Sequence, residues 1–436
     1  MNKASFLQPE TIALHSGYRP ESDHGSRAVP IYQTTSYTFD SVDEAAALFN
    51  VEQGGHIYSR ITNPTVAVLE QRLAALEGGV GAICTASGMS ALFISFISLC
   101  SAGDHIVSAA QIYGSTTTLL QHTLKRFGIN CTFVPINDST ALAAAIQDNT
   151  KLVFCESIGN PGLEVSDLPT IATIAHEHGI PLVVDATFAT PVLSRPLEHG
   201  ADLVVHSVTK WMGGHGVAVG GIIIDGGAFD WQASGRFPTL TQPYAPFHGI
   251  NFWEEFGPAA LVMRIRAESM RDIGAAMSAH TAFLLLQGIE TLNLRMQQHV
   301  TNTKRLLEWL QQQDNVAWIN HPDLPDNPTH TIAQRLFPQG AGSVLCFGVD
   351  GGLQAGVAFI NALQLSSNLA NVGDCRTLVL HPASTTHSRL DDVSMVAAGL
   401  KPDLLRVSVG IEAVGDIQAD FIRGLKAARK IAEQSQ

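Results

Sequence analysis

The sequence predicts an α/β protein with a mainly parallel sheet flanked by helices, followed by a smaller α+β C-terminal domain. Short apolar runs that indicate buried strands end near residues 85, 109, 155, 185 and 206, and helical patterns separate most of them. This alternation implies crossover connections, which favour parallel strands. Polar residues with useful chemistry follow several of these runs, at the strand ends where open α/β sheets bind ligands.

Composition narrows the class of protein further. The chain has 436 residues, 45% hydrophobic and 15% charged, which indicates two or three domains with an ample core. No apolar run reaches the roughly 18 residues of a membrane span, so we expect no membrane partner. A net charge of -13 argues against nucleic acid as a partner. Residues 1–7 lack the apolar core of a signal peptide, and six scattered cysteines indicate a reducing compartment, so we predict a cytoplasmic protein.

The first 60 or so residues show no sustained periodicity of apolar residues. Residues 27–36 form an extended arm in which Pro30 disfavours a helix, and 41–49 indicate a short helix. Tyr58 and Arg60 are two residues apart on a second extended segment, so their side chains share a face and can reach one phosphate together. The alternative is an ordinary solvated arginine.

A helical pattern over 65–76 leads to a predicted strand at 82–85. The small residues after it, which include Gly88 and Met89, open a long apolar helix over 90–100. A strand that meets a helix N-terminus through such a turn is an anion site, because backbone N–H groups and the helix dipole point at the ligand.

Two further strands end beside candidate site residues. After the strand at 106–109, Tyr113 is placed to stack on a planar ring, and its hydroxyl to take part in proton transfer. The alternative is a partly buried structural tyrosine. The strand at 152–155 is followed by Glu156, which we expect to support the site, and by Asn160.

The apolar run that ends at Asp185 leaves one acid at a buried strand end. An ionised carboxylate there needs a cation or hydrogen-bond donors. A protonated pyridine nitrogen is such a partner, and holding it protonated makes the ring an electron sink. The alternative, a helix cap or turn, is the commoner role for a lone aspartate.

The next apolar run ends in Ser207, Thr209 and Lys210, and glycines follow. Hydroxyls bond phosphate oxygens, glycines permit close approach, and a desolvated amine condenses with an aldehyde. Lys210 follows Asp185 by 25 residues, both at strand ends, which is the layout of a pyridoxal phosphate (PLP) site. A glycine-rich loop with a surface lysine is one alternative. A metal site at His206 and His215 is another, although no further ligand lies at suitable spacing.

The C-terminal part begins after a long irregular stretch, 225–256, of the kind that forms lids or interfaces. An apolar helix is predicted over 273–287, and 288–296 as a hinge. Beyond it we predict helices at 300–313 and 353–362 and strands at 344–349 and 404–409. Arg406 lies on the last strand and suits a bidentate clamp on a substrate α-carboxylate, with a salt-bridged strand arginine as the alternative.

From about Thr11 to the C-terminal helix, these motifs make the chain resemble the Cys/Met-metabolism family of PLP-dependent enzymes, the cystathionine γ-synthase-like group of fold type I. The resemblance implies that Lys210 holds PLP, with Lys210, Tyr113 and Asp185 catalytic. It implies that Tyr58 and Arg60 cross to bind the phosphate in a neighbouring subunit. The resemblance also implies that the cofactor is bound by Gly88, Met89, Asn160, Ser207 and Thr209. It implies that the substrate is bound by Arg406, Asn371 and Tyr58.

Within this family the chain most resembles the O-acetylhomoserine sulfhydrylases. The insertion at 225–256, Ile158-Gly159, and the run from Asn371 to Asp374 carry this closer likeness, whereas Met89 replaces the common Gln. It implies γ-replacement on O-acetyl-L-homoserine by sulfide, giving L-homocysteine and acetate in methionine biosynthesis. A cystathionine γ-synthase or γ-lyase is the alternative, and a non-catalytic PLP- or nucleotide-binding protein is one from another class.

The resemblance also implies an organisation. Residues 1–63 are expected to form an arm that contributes to a neighbouring subunit, 64–290 the PLP-binding domain and 291–436 the C-terminal domain. The expected assembly is a homotetramer with shared active sites. Acetyl or succinyl as the leaving group, and sulfide, methanethiol or a carrier-bound thiocarboxylate as the sulfur donor, stay open.

Overall fold

A computed structural model of the chain describes residues 8–20, 24–385 and 401–434. The structural statements that follow concern these ranges. Residues 1–7, on which the expectation about a signal peptide rests, lie outside the described residues. No helix within the described ranges is long and apolar enough to cross a membrane.

The larger sheet has seven strands in the order β1-β7-β6-β5-β4-β2-β3. Strands β2 to β6 pair in parallel, whereas β7 is antiparallel to both of its neighbours. The mainly parallel sheet is therefore confirmed. The strands are β1 Gly81–Thr85, β2 His105–Ala109, β3 Asn130–Val134, β4 Thr150–Glu156, β5 Leu182–Asp185, β6 Leu203–His206 and β7 Gly221–Asp225.

The five predicted strand ends agree with β1, β2, β4, β5 and β6. Strands β7 and β3 were not predicted, although β7 is buried along its whole length. For β3 there is a local reason. It lies at the edge of the sheet, and only Val134 of its five residues is buried. An edge strand of this kind lacks the continuous apolar run that marks a central parallel strand.

Helices cover the sheet and continue into the C-terminal region. The longer helices are α1 Pro9–His15, α2 Val42–Phe49, α3 Pro64–Glu77, α4 Gly88–Leu99, α5 Ser139–Ala145, α6 Leu168–Glu177, α7 Ala279–Glu290, α8 Leu292–Leu310, α9 His330–Leu336, α10 Gly352–Asn361 and α11 Val414–Gln434. Shorter helical segments are Gly114–Thr118, Leu119–Thr123, Leu124–Phe127, Thr190–Leu193, Pro196–His199, Trp231–Ser234, Pro238–Thr241, Ala245–Phe247, Phe252–Phe256, Gly257–Ala259, Ala260–Arg264, Ile265–Met270, Arg271–Ile273 and Pro382–Ser384.

Side-chain caps explain where the helices near the site begin. Asn63 accepts hydrogen bonds from the N–H groups of the first turn of α3, and Pro64 occupies the first helical position. Ser87 caps α4 by accepting from the N–H of Ser90 at 3.1 Å. Gly78, with φ +84°, ends α3 in the left-handed conformation that glycine adopts most readily.

The predicted helix over 273–287 is wrong at its start. Gly274 has φ +75° and closes the preceding helical segment, and α7 begins only at Ala279. Ser278 caps α7 by accepting from the N–H of Thr281 at 3.0 Å. The stretch predicted as a hinge is helical except for a break at Thr291, since α7 ends at residue 290 and α8 begins at 292.

The smaller sheet has five strands in the order β10-β11-β12-β9-β8. These are β8 Val316–Asn320, β9 Val344–Val349, β10 Ser367–Asn368, β11 Leu378–Leu380 and β12 Leu405–Ser408. It has an apolar core of its own, in which Phe347, Phe359 and Phe421 pack with ring centroids 5.3 to 6.1 Å apart. The predicted mixture of helices and strands is confirmed, and the domain boundaries at 63/64 and 290/291 stay predictions.

The stretch 225–256 is built from short helical segments held by aromatic packing. The ring centroid of Trp231 lies 4.6 Å from that of Phe229 and 4.9 Å from that of Phe237. Further along, the guanidinium carbon of Arg264 lies 4.0 Å from the ring centroid of Tyr244. Its role as a lid or an interface stays a prediction.

Candidate active site

A cavity of about 320 Å³ lies where the carboxyl ends of β4, β5 and β6 meet the N-terminus of α4. This is the edge at which an open parallel sheet binds ligands. Most of the predicted site residues line it, namely Gly88, Met89, Tyr113, Asn160, Asp185, Ser207, Thr209, Lys210 and Arg406. A larger open groove of about 1050 Å³ lies beside α1 and α3, and none of the predicted site residues lines it.

Lys210 follows β6 on a tight turn that directs its side chain into the cavity. Its Nζ donates a hydrogen bond to Oδ1 of Asn371 at 2.5 Å, which brings a second predicted residue to the edge of the site. Burial, and then the nearby Arg406 guanidinium, lower the pKa of Lys210 from its usual value. A lower pKa makes the amine a better nucleophile and base near neutral pH.

Asp185 stands at the end of β5 and is held by Thr187. Its Oδ1 accepts from the Thr187 N–H at 2.9 Å and from the Thr187 hydroxyl at 2.5 Å. Burial raises the pKa of Asp185, and the two bonds from Thr187 oppose that shift. Because both bonds end on Oδ1, Oδ2 is the oxygen left to a cation in the cavity.

Thr187 is a site residue to which the sequence analysis gave no role. Its hydroxyl accepts from the N–H of Ser207 at 2.8 Å, and so it joins the ends of β5 and β6. An aspartate followed two residues later by threonine at a strand end is a local turn signal, because aspartate oxygens bond the backbone two residues on. That signal would have identified it.

The N-terminus of α4 contacts the loop after β6 directly. A Cβ added to Gly88 would lie 2.7 Å from Cβ of Ser207, a distance that real side chains do not tolerate. Glycine at this position therefore lets the first N–H groups of α4 come close to the cavity. The hydroxyl of Thr209 is bonded to the N–H and the C=O of Gly220 at 3.0 and 3.2 Å, which fixes the loop on the other side.

Tyr113 and Asn160 are held by one acid. The buried Glu156 accepts from the Tyr113 N–H at 2.7 Å through Oε1 and from the Asn160 N–H at 3.1 Å through Oε2. Burial, and then the carboxylate of Asp185, raise the pKa of Glu156 well above its usual value. Glu156 therefore supports the site as expected, by holding the backbone of Tyr113 with one oxygen and that of Asn160 with the other.

Arg406 reaches the cavity from β12 of the smaller sheet. Nη1 donates to Oδ1 of Asn160 at 3.0 Å, and Nη2 contacts the carbonyl of Asn371 at 3.5 Å. Burial lowers the pKa of Arg406, and no carboxylate of the described ranges forms a salt bridge with it. A partly buried guanidinium beside a cavity and lacking a counter-ion is suited to bind a ligand carboxylate.

Tyr58 and Arg60 do not line the cavity of their own chain. Tyr58 is 42% exposed, and the guanidinium of Arg60 lies 5.6 Å from its ring and donates to the carbonyl of Arg271. That these two residues serve the site of a neighbouring subunit stays a prediction.

The two histidines of the metal alternative have other partners. Nε2 of His206 lies 2.6 Å from Oε1 of Glu77, with both side chains buried, and Nδ1 of His215 lies 3.7 Å from Sγ of Cys375. Among the residues that the structure describes, no group of three or more His, Cys, Asp or Glu side chains is arranged to hold a metal ion.

The donor set fits a phosphorylated pyridine aldehyde. A desolvated amine can bond to the aldehyde, a helix N-terminus lies close to the hydroxyl of Ser207 for an anion, and Asp185 offers a carboxylate to a ring nitrogen. These features are typical of an α/β enzyme that binds PLP through a lysine. Residues 10–426 match the family of Cys/Met metabolism PLP-dependent enzymes, and the chain belongs to that family.

Relatives of known name cover nearly the whole chain. The homocysteine synthase of Schizosaccharomyces pombe is 48% identical over 96% of this chain and 98% of its own length. O-acetyl-L-homoserine sulfhydrylase 1 of Thermus thermophilus is also 48% identical, over 95% of this chain and 99% of its own.

A solved structure supports the same relationship. The putative O-acetylhomoserine (thiol)-lyase of Campylobacter jejuni contains N'-pyridoxyl-lysine-5'-monophosphate. It aligns with a TM-score of 0.93 and 38% identity, over 96% of this chain and all of that one. The expected fold class, a fold type I PLP-dependent transferase, is therefore confirmed.

Proposed function

We propose that this protein catalyses PLP-dependent γ-replacement on O-acetyl-L-homoserine, with sulfide as the nucleophile and L-homocysteine and acetate as products. The observation that carries the proposal is the partly buried Arg406, which lines the same cavity as Lys210 and has no counter-ion in the described ranges. This pair fits an amino acid, whose carboxylate and α-carbon need a cation and a base. The names of relatives that align over almost the full length support the choice of amino acid and nucleophile.

Several residues would hold the cofactor. Lys210 would bond to its aldehyde, Asp185 would pair with the ring nitrogen, and Asn160 would bond the ring oxygen. Gly88, Met89, Ser207 and Thr209 would surround the phosphate. Bound PLP supplies an electron sink that stabilises negative charge on substrate carbons.

The same side chains then orient the substrate and move its protons. Arg406 pairs with the α-carboxylate, and this contact places the α-carbon near Lys210. Nζ of Lys210 accepts the proton from Cα, since burial keeps its pKa low. Tyr113, which is 46% exposed at the cavity, is the proton partner at Cβ. Two hydrogen bonds from Thr187 favour the ionised form of Asp185, which would pair with the ring nitrogen.

The overall reaction exchanges one group at Cγ. The bond between Cγ and the ester oxygen breaks, the leaving acetate keeps the electron pair, and HS⁻ forms the new bond from sulfur to Cγ. The protons taken from Cα and Cβ return to those carbons, so no oxidant or reductant is needed. Methionine biosynthesis is the pathway in which this product is used.

The proposal includes an assembly in which active sites are shared. Tyr58 and Arg60, which do not line the cavity of their own chain, bind the phosphate in a neighbouring subunit. Tyr58 also contacts the substrate there, and Asn371 contacts it from the loop between β10 and β11 of its own chain. Residues 1–63 act as the connecting arm, and the complete assembly is a tetramer of the cytoplasm.

The direct test is steady-state formation of homocysteine from O-acetylhomoserine, with sulfide and cysteine supplied separately. Turnover with sulfide is expected, and Lys210→Ala should reduce it to background because the variant loses both the cofactor bond and the base. Lys151→Ala is a matched control, since Lys151 donates to the carbonyl of Arg236 far from the cavity.

Preference for cysteine would replace the proposed activity with cystathionine synthesis. PLP binding without release of acetate from O-acetylhomoserine would identify a non-catalytic binding protein. Normal turnover by the Lys210→Ala variant would contradict the assignment of that lysine.

A further inference from the structure

Glu156 is a buried carboxylate on the wall of the cavity whose part in the chemistry is still to be assigned. It ends β4, is 6% exposed, and lies opposite Asp185 in the register of β4 and β5. Its carbonyl accepts from the hydroxyl of Ser166 at 2.7 Å, and the next N–H in the chain, that of Ser157, donates to the carbonyl of Asp185 at 2.9 Å. The backbone is therefore held on both sides, which restricts where the side chain can point.

Each oxygen of this carboxylate serves a different loop. Oε1 accepts from the N–H of Tyr113, after β2, at 2.7 Å, and Oε2 accepts from the N–H of Asn160, after β4, at 3.1 Å. These are backbone contacts, so Glu156 fixes the main-chain positions from which the two side chains start. Burial and the neighbouring Asp185 raise its pKa, and the two N–H donors oppose that shift.

The contacts continue from Asn160 to the substrate end of the cavity. Oδ1 of Asn160 accepts from Nη1 of Arg406 at 3.0 Å. A displacement of the Asn160 backbone would move this acceptor and with it the guanidinium. Tyr113 lines the same cavity, where its ring would lie against the cofactor.

We propose that Glu156 is a positioning residue that couples Tyr113 to Asn160. One side chain then aligns the ring that stacks on the cofactor and, through Asn160, the Arg406 guanidinium that binds the substrate carboxylate. This inference rests on the proposed function for the roles of the two partners. It requires a carboxylate. Glutamine has one acceptor oxygen, and its amide nitrogen would face the second N–H, whereas aspartate is too short to reach both loops.

The test is a double-mutant cycle on cofactor affinity, read from quenching of tryptophan fluorescence when PLP is added to the apoprotein. Glu156→Gln should weaken PLP binding about tenfold, because one buried N–H loses its acceptor. Combined with Tyr113→Ala, the effect of Glu156→Gln should largely disappear, since the ring that it positions is gone. Combined with Thr209→Ala, on the loop bonded to Gly220, the two effects should multiply.

Glu164→Gln provides the matched control. Glu164 lies on the turn that follows β4 and is partly buried. Its side chain accepts a hydrogen bond from Asn137, which does not line the cavity. PLP affinity and the KM for O-acetylhomoserine should stay within about twofold of the wild type. The Glu156→Gln variant should raise that KM as well, and Asn160→Ala should reduce this second effect.

Two results would overturn the coupling: equal PLP affinity for the Glu156→Gln and Glu164→Gln variants, or effects of Glu156→Gln and Tyr113→Ala that simply multiply. If Glu156→Gln does not yield folded protein, the cycle is repeated with Glu156→Asp, which keeps the charge and loses one contact. The fluorescence cycle needs no turnover. A protein that binds PLP but lacks sulfhydrylase activity would therefore contradict the proposed function and leave this coupling intact.

Discussion

At the scale of single residues, burial shifts the pKa values of the acids and the bases of the site in opposite directions. It lowers the pKa of Lys210 and raises that of Asp185, so in both cases the neutral form gains. Burial also lowers the pKa of Arg406, yet a guanidinium does not lose its proton in practice. The cation that stays charged is therefore the one best suited to hold a carboxylate, and the amine that can become neutral is the one suited to act as base.

Arg406→Lys should separate geometry from charge. The variant keeps a positive side chain but loses the two-pronged contact, so the KM for O-acetylhomoserine should rise about 10- to 100-fold with a smaller change in kcat. Arg376→Lys is the matched control, because Arg376 pairs with Asp374 outside the cavity. Steady-state kinetics of both variants give the answer, and an unchanged KM for Arg406→Lys would refute the clamp.

The sequence predicted the site residues whose chemistry is visible locally. A lone acid at the end of an apolar run identified Asp185, and a lysine before glycines identified Lys210. The contact between Lys210 and Asn371 was not predictable, because the two residues are 161 positions apart and the tertiary fold alone brings them together. The hydrogen bond from the Tyr113 N–H to Glu156 was not predictable for the same reason, because the two residues are 43 positions apart in the chain.

At the scale of elements, the start of α4 is placed by a steric fit as much as by its cap. Ser87 sets the first turn, and the absent side chain of Gly88 lets that turn approach Ser207. At the start of α4, the local sequence and the tertiary contact therefore favour the same helix start.

At α7 the apolar pattern and the backbone disagree. The pattern continues through 273–277, whereas Gly274 adopts φ +75° and interrupts the helix. Apolar periodicity reports burial, and it does not show where the backbone leaves the helical conformation.

Gly88→Ala should weaken PLP binding, because the added Cβ would lie 2.7 Å from Cβ of Ser207 and displace the start of α4. We expect a loss of about tenfold, comparable to the cost of an overpacked contact. In the double variant Gly88→Ala/Ser207→Gly the 2.7 Å contact is removed and only the Cα of residue 207, at 3.0 Å, stays close, so its loss should be smaller than the product of the two single losses. Fluorescence titration with PLP measures all three proteins. Losses that multiply would show that the steric fit is unimportant.

At the scale of the whole molecule, two sheets contribute to one cavity, and the smaller sheet has an additional apolar core of its own. The order of the strands could not be deduced from the sequence, because any of several arrangements would bury the same apolar runs. Nor did the sequence show that β7 would run antiparallel between β1 and β6, since strand direction depends on how the chain returns to the sheet. The segregation into a larger parallel and a smaller mixed unit was predictable, because the pattern of elements changes after residue 290.

Acid stability should depend on His299, which joins α8 to the end of β12. It is fully buried, its Nδ1 lies 2.7 Å from the carbonyl of Val409, and burial lowers its pKa to about 4. The unfolded chain, with a histidine pKa near 6.5, binds the proton first as the pH falls. Stability is therefore retained above pH 6.5 and lost between about 6.5 and 4, by about 3 kcal/mol.

His299→Asn should flatten this dependence, because the amide can still donate to Val409 but does not titrate. Thermal midpoints between pH 7.5 and 5 provide the measurement. His280→Asn, at an exposed position of α7, should keep the slope of the wild type. An identical slope for His299→Asn would exclude His299 as the origin of the effect.

The distance along the chain between the partners at the site has a consequence for how the protein is made. Lys210 meets Asn371, and Asn160 meets Arg406 across 246 positions. During synthesis on a ribosome, the larger sheet and its lysine emerge well before the strand that carries Arg406. A nascent chain, or one cut short by premature termination, can therefore display the lysine and its aspartate while the substrate anchor is still missing. Under the proposed function, synthesis of β12 is the step that adds recognition of an amino acid to a site that already has its lysine and aspartate.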